Sequence, residues 1–264
     1  MAINGQPIHF PILSAVVLLD DIEREGNAVM IALQREAPSF REPQPELKLD
    51  NTPVTQWDHW VDVFVQKLLN KSEFPLMSEE SLPEYADRKD WEAFWVLDPI
   101  DGTKELLHGT GQYCSVLAFV AEGEPLIGWI LDYRNKTIYK GGSQTAFQQY
   151  KEADEQWTSV EPEDGPKVFL VSNHFLNPKD LKLMESLVED PAQFNHNPLG
   201  SALKFLEVAK NRNAHYSRVG RIMEWDVAAG VAICASVGKK VVSLTGDKIE
   251  FNKAIPEVVG FRIT

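Results

Sequence analysis

Ten residues, Phe94-Trp-Val-Leu-Asp-Pro-Ile-Asp-Gly-Thr103, constrain this chain more than any other stretch. Phe94 to Leu97 is an uninterrupted apolar run of strand length, which predicts a buried strand. The polypeptide then turns through Asp98-Pro99-Ile100-Asp101-Gly102, and Thr103 to Leu107 predicts a short helix. Proline fixes one backbone dihedral and glycine relaxes another, so two carboxylates three residues apart are able to face one point. Hard carboxylate oxygens at a strand end suit Mg²⁺. The backbone N–H groups of Gly102 and Thr103, at a helix start, suit a phosphate. Taken alone, Asp-x-x-Asp also describes a solvated Asx-type turn; the full hexapeptide behind an apolar strand favours the metal reading.

The 264 residues suffice for one large domain or two interlocked subdomains, and 44% apolar with 25% charged residues describes an ordinary globule. A formal net charge of −13 argues against a nucleic-acid polymer or an anionic membrane as partner. A small anionic substrate would be repelled too, unless cations sit in its site. Cys114 and Cys234 lie in apolar runs and read as buried thiols in a reducing, cytoplasmic setting. Pro11 to Leu19 is too short to span a bilayer and runs into Asp20-Asp21, so it reads as a core helix.

Residues 11–35 favour helix, interrupted near Gly26 into one or two segments, and 36–46 is a Pro- and charge-rich loop. Lys48 to Thr55 predicts an extended segment, followed by a helix from Gln56 to about Leu69 that opens on a Thr55-x-x-Asp58 capping box. Phe74 to Ser81 reads as a short strand entering a loop. Strands at 113–121, 126–133 and 137–140, separated by turns, predict an antiparallel meander that extends the sheet holding Phe94–Leu97. Glu152 to Pro166 is polar and marks the boundary between an N-terminal α+β subdomain (about 1–160) and a C-terminal α/β subdomain (about 161–264) of a single catalytic unit. Beyond it the pattern alternates: strand 168–171, helix 178–188, helix 201–210, strand 215–218, helix 226–237 and strand 240–244. The six histidines form no His-x-His or His-x₃-His pattern, which disfavours zinc. There is no Gly-x-Ser-x-Gly elbow and no P-loop.

Asp98-Pro-Ile-Asp-Gly-Thr103 resembles the signature of the inositol monophosphatase superfamily. Glu224-Trp-Asp-Val-Ala-Ala-Gly230 resembles its second signature, and Ser78-Glu-Glu-Ser81 its upstream acidic motif. The three occur in the family's order and span the chain from about residue 48 onward. The resemblance implies a layered αβαβα sandwich and a phosphatase working with two or three Mg²⁺ ions. It places Glu79, Asp98 and the carbonyl of Ile100 on the first ion, and Asp98, Asp101 and Asp226 on the second. Asp58, with Glu79, would help hold a third beside the attacking water, which Asp58 and Thr103 would orient and deprotonate. Asp226 at a helix start also reads as an N-cap, a role compatible with metal binding.

Thr103-Lys104-Glu105-Leu106 is similar to the form found in 3′(2′),5′-bisphosphate nucleotidases of the CysQ type, with leucine in place of phenylalanine; inositol monophosphatases usually continue Thr-Asn-Phe. Gly200-Ser-Ala-Leu-Lys204 resembles the nucleotidases' Gly-Ser-Ser-Leu-Lys. Ser172-Asn-His174 is a compressed version of their Ser-Arg-Ser-His, and Ser217-Arg-Val-Gly220 is similar to their Pro-Arg-Phe-Gly. The resemblance therefore adds Gly102, Thr103, Lys104, His174, Gly200, Lys204, Arg218 and Asp226 as substrate-binding positions. It implies cleavage of 3′-phosphoadenosine 5′-phosphate to AMP and phosphate, a step that clears a by-product of sulfate assimilation, with inhibition by Li⁺. An inositol or other sugar monophosphatase using the same metal site is the nearest alternative. A non-catalytic nucleotide sensor is the alternative of another class. The superfamily contains dimeric monophosphatases and monomeric nucleotidases, so monomer and homodimer are both open.

Overall fold

The computed structural model describes residues 12–49, 51–173 and 177–264. Helix α1 (Ile12–Glu36) leads into a two-stranded ladder, β1 (Pro45–Leu47) and β2 (Pro53–Thr55). Then come α2 (Gln56–Leu69), β3 (Leu76–Ser78), the single turn α3 (Tyr85–Arg88), β4 (Ala93–Asp101) and α4 (Thr103–Leu107). A meander follows through β5 (Cys114–Ala121), β6 (Glu124–Asp132), β7 (Thr137–Gly142), β8 (Gln148–Lys151) and β9 (Gln156–Ser159). The chain continues with β10 (Val168–Val171), α5 (Pro178–Ser186), β11 (Asn195–Pro198), α6 (Leu203–Lys210), β12 (Ala214–His215) and β13 (Ser217–Met223). It closes with α7 (Glu224–Ser236), β14 (Val241–Val242) and β15 (Glu257–Ile263).

Strands β3 to β9 form one seven-stranded sheet in sequence order, antiparallel except for the parallel β3–β4 pair. Both faces of its centre are covered. Trp95, Leu97, Leu117, Phe119, Trp129 and Leu131 share a core with residues of α1 and α2. Phe94, Val96, Val116, Ala118 and Ile130 share another with α6 and α7. Residues that alternate between two buried faces are apolar throughout, which is why β4 and β5 read as continuous hydrophobic runs. Beyond α6 and α7 lie two three-stranded sheets, β11-β10-β12 and β13-β15-β14, and α5 packs outside them on β10 and β13. The layers are thus helix, sheet, helix, sheet, helix. The expected αβαβα sandwich is the observed fold.

Several elements differ from the sequence expectation. Helix α1 runs unbroken through Gly26, because that position is a close approach and not a break: a Cβ there would lie 2.4 Å from the Trp129 ring. Of the segment 48–55 expected to be extended, Pro53–Thr55 is strand β2, paired with β1. The polar stretch at 152–166 contains β9, an edge strand with a sequence too hydrophilic for the pattern to mark. Segment 215–218 divides between β12, parallel to β10, and β13, antiparallel to β15. Strand 240–244 shrinks to Val241–Val242, and β15 was not anticipated.

The Gly26 contact gives a prediction with a definite sign. In an open helix interior, Gly→Ala stabilises by up to about 1 kcal/mol. At position 26 the overlap with Trp129 outweighs this, and Gly26→Ala lowers stability by about 1–3 kcal/mol in urea denaturation.

Candidate active site

The β4–β5 ladder pairs Asp98 with Val116 and Asp101 with Cys114, so three steps along β4 face two along β5. This irregularity at the strand end takes Pro99 and Ile100 out of regular pairing and leaves an aspartate on each side of the break. Gly102 completes the turn at φ 97°, and a Cβ there would approach the Gln112 carbonyl to 3.1 Å and Ser201 Cβ to 3.2 Å. Parallel pairing of β3 with β4 continues as Glu79 N–H donates to the Leu97 carbonyl at 3.1 Å, which sets Glu79 beside Asp98. Asp226 comes from the first turn of α7. It is not the N-cap expected from the sequence: the helix starts at Glu224, and the Asp226 carboxylate reaches back to accept from Met223 N–H at 3.0 Å. One oxygen each from Glu79, Asp98 and Asp226 lies within 4.8 Å of the others.

Crowding and burial disfavour the ionised forms. Asp98 is 1% exposed, and burial, then Glu79, Asp101 and Asp226, hold its carboxyl well above the usual carboxylate range. Burial and Asp226 push Asp101 up to about 8, against the opposing pull of Lys204. Burial and Glu79 raise Asp226 to about 6. Asp98 Oδ1 is buried with no hydrogen-bond partner. An orphaned hard oxygen among repelling carboxylates is what a divalent cation resolves, so the residues fit Mg²⁺. A cation already answers part of this charge. Lys48, in the β1–β2 turn, bridges Glu79 and Glu80 at 2.6 and 2.7 Å, and sequence reasoning had given it no role.

Asp58 caps α2 and also faces Thr103. One oxygen closes the expected capping box, accepting from Thr55 N–H at 2.8 Å and from its hydroxyl at 2.6 Å. The other accepts from the Thr103 hydroxyl at 3.1 Å, while Thr103 also lies 3.2 Å from the Ile100 carbonyl. Burial raises the Asp58 carboxyl above its ordinary value, despite the hydrogen bonds that oppose the shift.

A cleft of about 280 Å³ adjoins the acids, lined by Asp101, Gly102, Lys104, Ser201, Lys204, Tyr216, Arg218 and Asp226 among others. Arg218 and the exposed Lys104 bring positive charge to it. Lys204 lies deeper than expected. It is 7% exposed, and its ammonium donates to the Leu199 and Ser201 carbonyls at 3.0 and 2.9 Å. Helix α6 begins at Leu203, so Gly200 precedes it; Gly200 packs against Glu105 and Gln112 and does not line the cleft. His174 lies outside the described residues. Ser201, Tyr216, Phe205 and Ile222 were missed as lining residues, although Ser201 sits inside the Gly200–Lys204 motif. A larger open groove of about 410 Å³, lined by residues from Gln66 to Leu76, contains a single carboxylate, Glu73, and none of the clustered acids.

The sequence profile of the inositol monophosphatase family matches residues 22–260. The chain belongs to the inositol monophosphatase family. Among curated relatives, the 3′(2′),5′-bisphosphate nucleotidase CysQ of Buchnera aphidicola is 28% identical over 207 residues, 78% of this chain and 76% of its own. The crystal structure of CysQ from Bacteroides thetaiotaomicron, described as a bacterial member of the family, superposes with a TM-score of 0.73 at 24% identity, covering 90% of this chain and 92% of that one. An IMPase/NADP phosphatase solved with Mg²⁺ and phosphate gives a TM-score of 0.72 at 20% identity, covering 93% and 91%. Members of this family act as phosphatases, and the acid cluster gives this inositol monophosphatase-like chain a place for a divalent metal.

The raised carboxyls predict a pH dependence. Folded Asp98, Asp101 and Asp226 hold their protons more tightly than the unfolded chain does. The stability this confers is full below about pH 4, the unfolded value, and is lost as pH rises through about 6 for Asp226 and about 8 for Asp101. The Tm of chelator-treated protein therefore falls between pH 4 and 8, and Mg²⁺ raises it more at pH 8 than at pH 5. A flat or rising metal-free Tm across that window contradicts the assignment.

Proposed function

We propose that the chain is a Mg²⁺-dependent phosphatase that removes the 3′-phosphate of 3′-phosphoadenosine 5′-phosphate, giving AMP and phosphate. The curated relatives named CysQ support this substrate. The observation that carries it is that Arg218 and Lys104 line the same cleft as the acids Asp101 and Asp226, which suits an anionic group other than the one being cleaved. A monoester of a neutral polyol has no second phosphate to place there.

Glu79, Asp98, the Ile100 carbonyl, Asp101 and Asp226 are the groups that would hold the metal ions. Bound divalent ions supply Lewis-acid polarisation of the phosphoryl oxygens and offset their charge. The chain's own residues do the rest. Thr103 donates a hydrogen bond to Asp58, which leaves the Thr103 oxygen as an acceptor able to aim a water at phosphorus. As the water attacks, its proton passes to the Thr103 oxygen while the Thr103 hydroxyl proton passes to Asp58, whose carboxyl, raised by burial, is suited to accept it. Lys204 fixes the 199–201 turn, and Asp101 accepts from Ala202 N–H at 2.5 Å, so the cleft wall and a metal-holding carboxylate are tied together. In this reading the chain is one catalytic unit. Glu79, Asp98 and Asp101 come from the part before residue 160, Asp226 and Arg218 from the part after it, and neither half carries a complete site.

Steady-state phosphate release with Mg²⁺ tests the substrate. The nucleotide is preferred over inositol 1-phosphate, and Arg218→Ala cuts kcat/KM for the nucleotide by roughly 10- to 100-fold, as loss of a charged hydrogen bond implies, while leaving inositol phosphate hydrolysis nearly unchanged. Preference for inositol phosphate overturns the substrate. For Asp58→Asn, kcat falls about 10²- to 10⁴-fold while calorimetry shows that Mg²⁺ still binds.

A further inference from the structure

Where β4 leaves the ladder between Asp98 and Asp101, Pro99 and Ile100 lose their regular partners on β5. Both are buried. Proline has no N–H to offer, and its carbonyl, turned away from the ladder, needs a donor from elsewhere. Ser115 supplies it. This residue lies between Cys114 and Val116, the partners of Asp101 and Asp98, and so stands opposite the irregular segment. Its side chain is fully buried, and its hydroxyl donates to the Pro99 carbonyl at 2.5 Å.

The same Ser115 oxygen lies 2.6 Å from the Tyr133 hydroxyl. A serine hydroxyl has one proton, and a carbonyl oxygen can only accept. With the Ser115 proton committed to Pro99, Tyr133 must be the donor in the second contact. The order is therefore Tyr133 O–H to Ser115 Oγ, and Ser115 O–H to the Pro99 carbonyl. Tyr133 is in turn oriented by packing: Phe40 meets its ring edge-on at 4.6 Å between centroids, and Tyr113 lies tilted at 5.6 Å.

We propose that Ser115 and Tyr133 are positioning residues of the metal centre. Their hydroxyl relay holds the Pro99–Ile100 peptide in one orientation, and so fixes the direction of the Ile100 carbonyl and of the flanking Asp98 and Asp101 carboxylates. Neither side chain is among the metal-holding groups; each acts through the peptide between the two acids. An apolar residue at position 115 would leave the Pro99 carbonyl bare and the peptide without its tether. Partners standing behind first ligands commonly control metal affinity by 10- to 100-fold. The inference rests on the metal-dependent reading of the site.

Calorimetric titration with Mg²⁺ alone, in the absence of substrate, tests it. Wild-type protein binds Mg²⁺. Ser115→Ala weakens that binding by about 10- to 100-fold and lowers kcat more than it raises KM. Ser115→Thr, which keeps a hydroxyl, restores most of the affinity. Tyr133→Phe has a smaller effect of the same kind, because Ser115 keeps its bond to Pro99, and it carries the test if Ser115→Ala does not fold. Phe169→Leu, in the distant cluster around α5, serves as the comparison: it lowers Tm without changing Mg²⁺ affinity. Wild-type affinity in Ser115→Ala or in Tyr133→Phe, with only Tm reduced as in Phe169→Leu, overturns the proposal and leaves the two residues a purely structural role. Absence of Mg²⁺ binding by the wild type would instead count against the metal reading itself.

Discussion

Carboxylates held within 4.8 Å of one another around a nearly water-free Asp98 repel, and the fold has to keep them together. In water two such charges would separate, and in a protein interior the repulsion and the lost hydration both grow. The chain resists in three ways. Burial and mutual repulsion raise the carboxyls of Asp98, Asp101 and Asp226 so that they hold protons more tightly, Lys48 and Lys204 bring cationic heads to the margins, and each acid is anchored by its own backbone context. Asp98 and Asp101 flank a proline and precede a left-handed glycine, Asp226 is folded back onto its helix start, and Glu79 is pinned by strand pairing. The layered architecture serves this end: a sheet buried on both faces gives β4 a rigid exit, and α7, buried on nearly all sides, delivers Asp226 to it.

Lys48 shows how the charge is balanced. Its ammonium sits on Glu79 and Glu80, and Glu79 is among the acids we propose to hold the metal. A divalent ion held by Glu79 would draw on the same carboxylate as this ammonium, which would link the β1–β2 turn to the metal centre. Lys204 plays the corresponding part for Asp101 on the other side, but its hydrogen bonds to Leu199 and Ser201 make it a fixture of the cleft wall and not a mobile head.

Much of this was legible in the residues. The apolar run into Asp-Pro-Ile-Asp-Gly-Thr specified a strand, a turn and facing acids, because proline and glycine act locally. The Thr55–Asp58 capping box and the meander of β5 to β7 were readable for the same reason: their signals span only a few residues. What was not legible depends on contacts distant in sequence. Gly26 looks like a helix break until Trp129 is placed against it. Lys204 looks like a free cation until two carbonyls of the preceding turn are seen to hold it. β9 is too polar to register as a strand, and its pairing with β8 is what makes it one. Lys48 carries no motif of its own that ties it to Glu79, 31 residues away.

The central claim is that the end of β4 is a divalent-metal centre completed by α7. Crystals soaked in Mn²⁺, with anomalous differences recorded above the manganese edge, address it without reference to any substrate. The account predicts peaks against Glu79, Asp98 and the Ile100 carbonyl and against Asp101 and Asp226, about 4 Å apart, with Lys48 withdrawn from Glu79. A map with no anomalous density at these residues, and Lys48 still bridging Glu79 and Glu80, would contradict it.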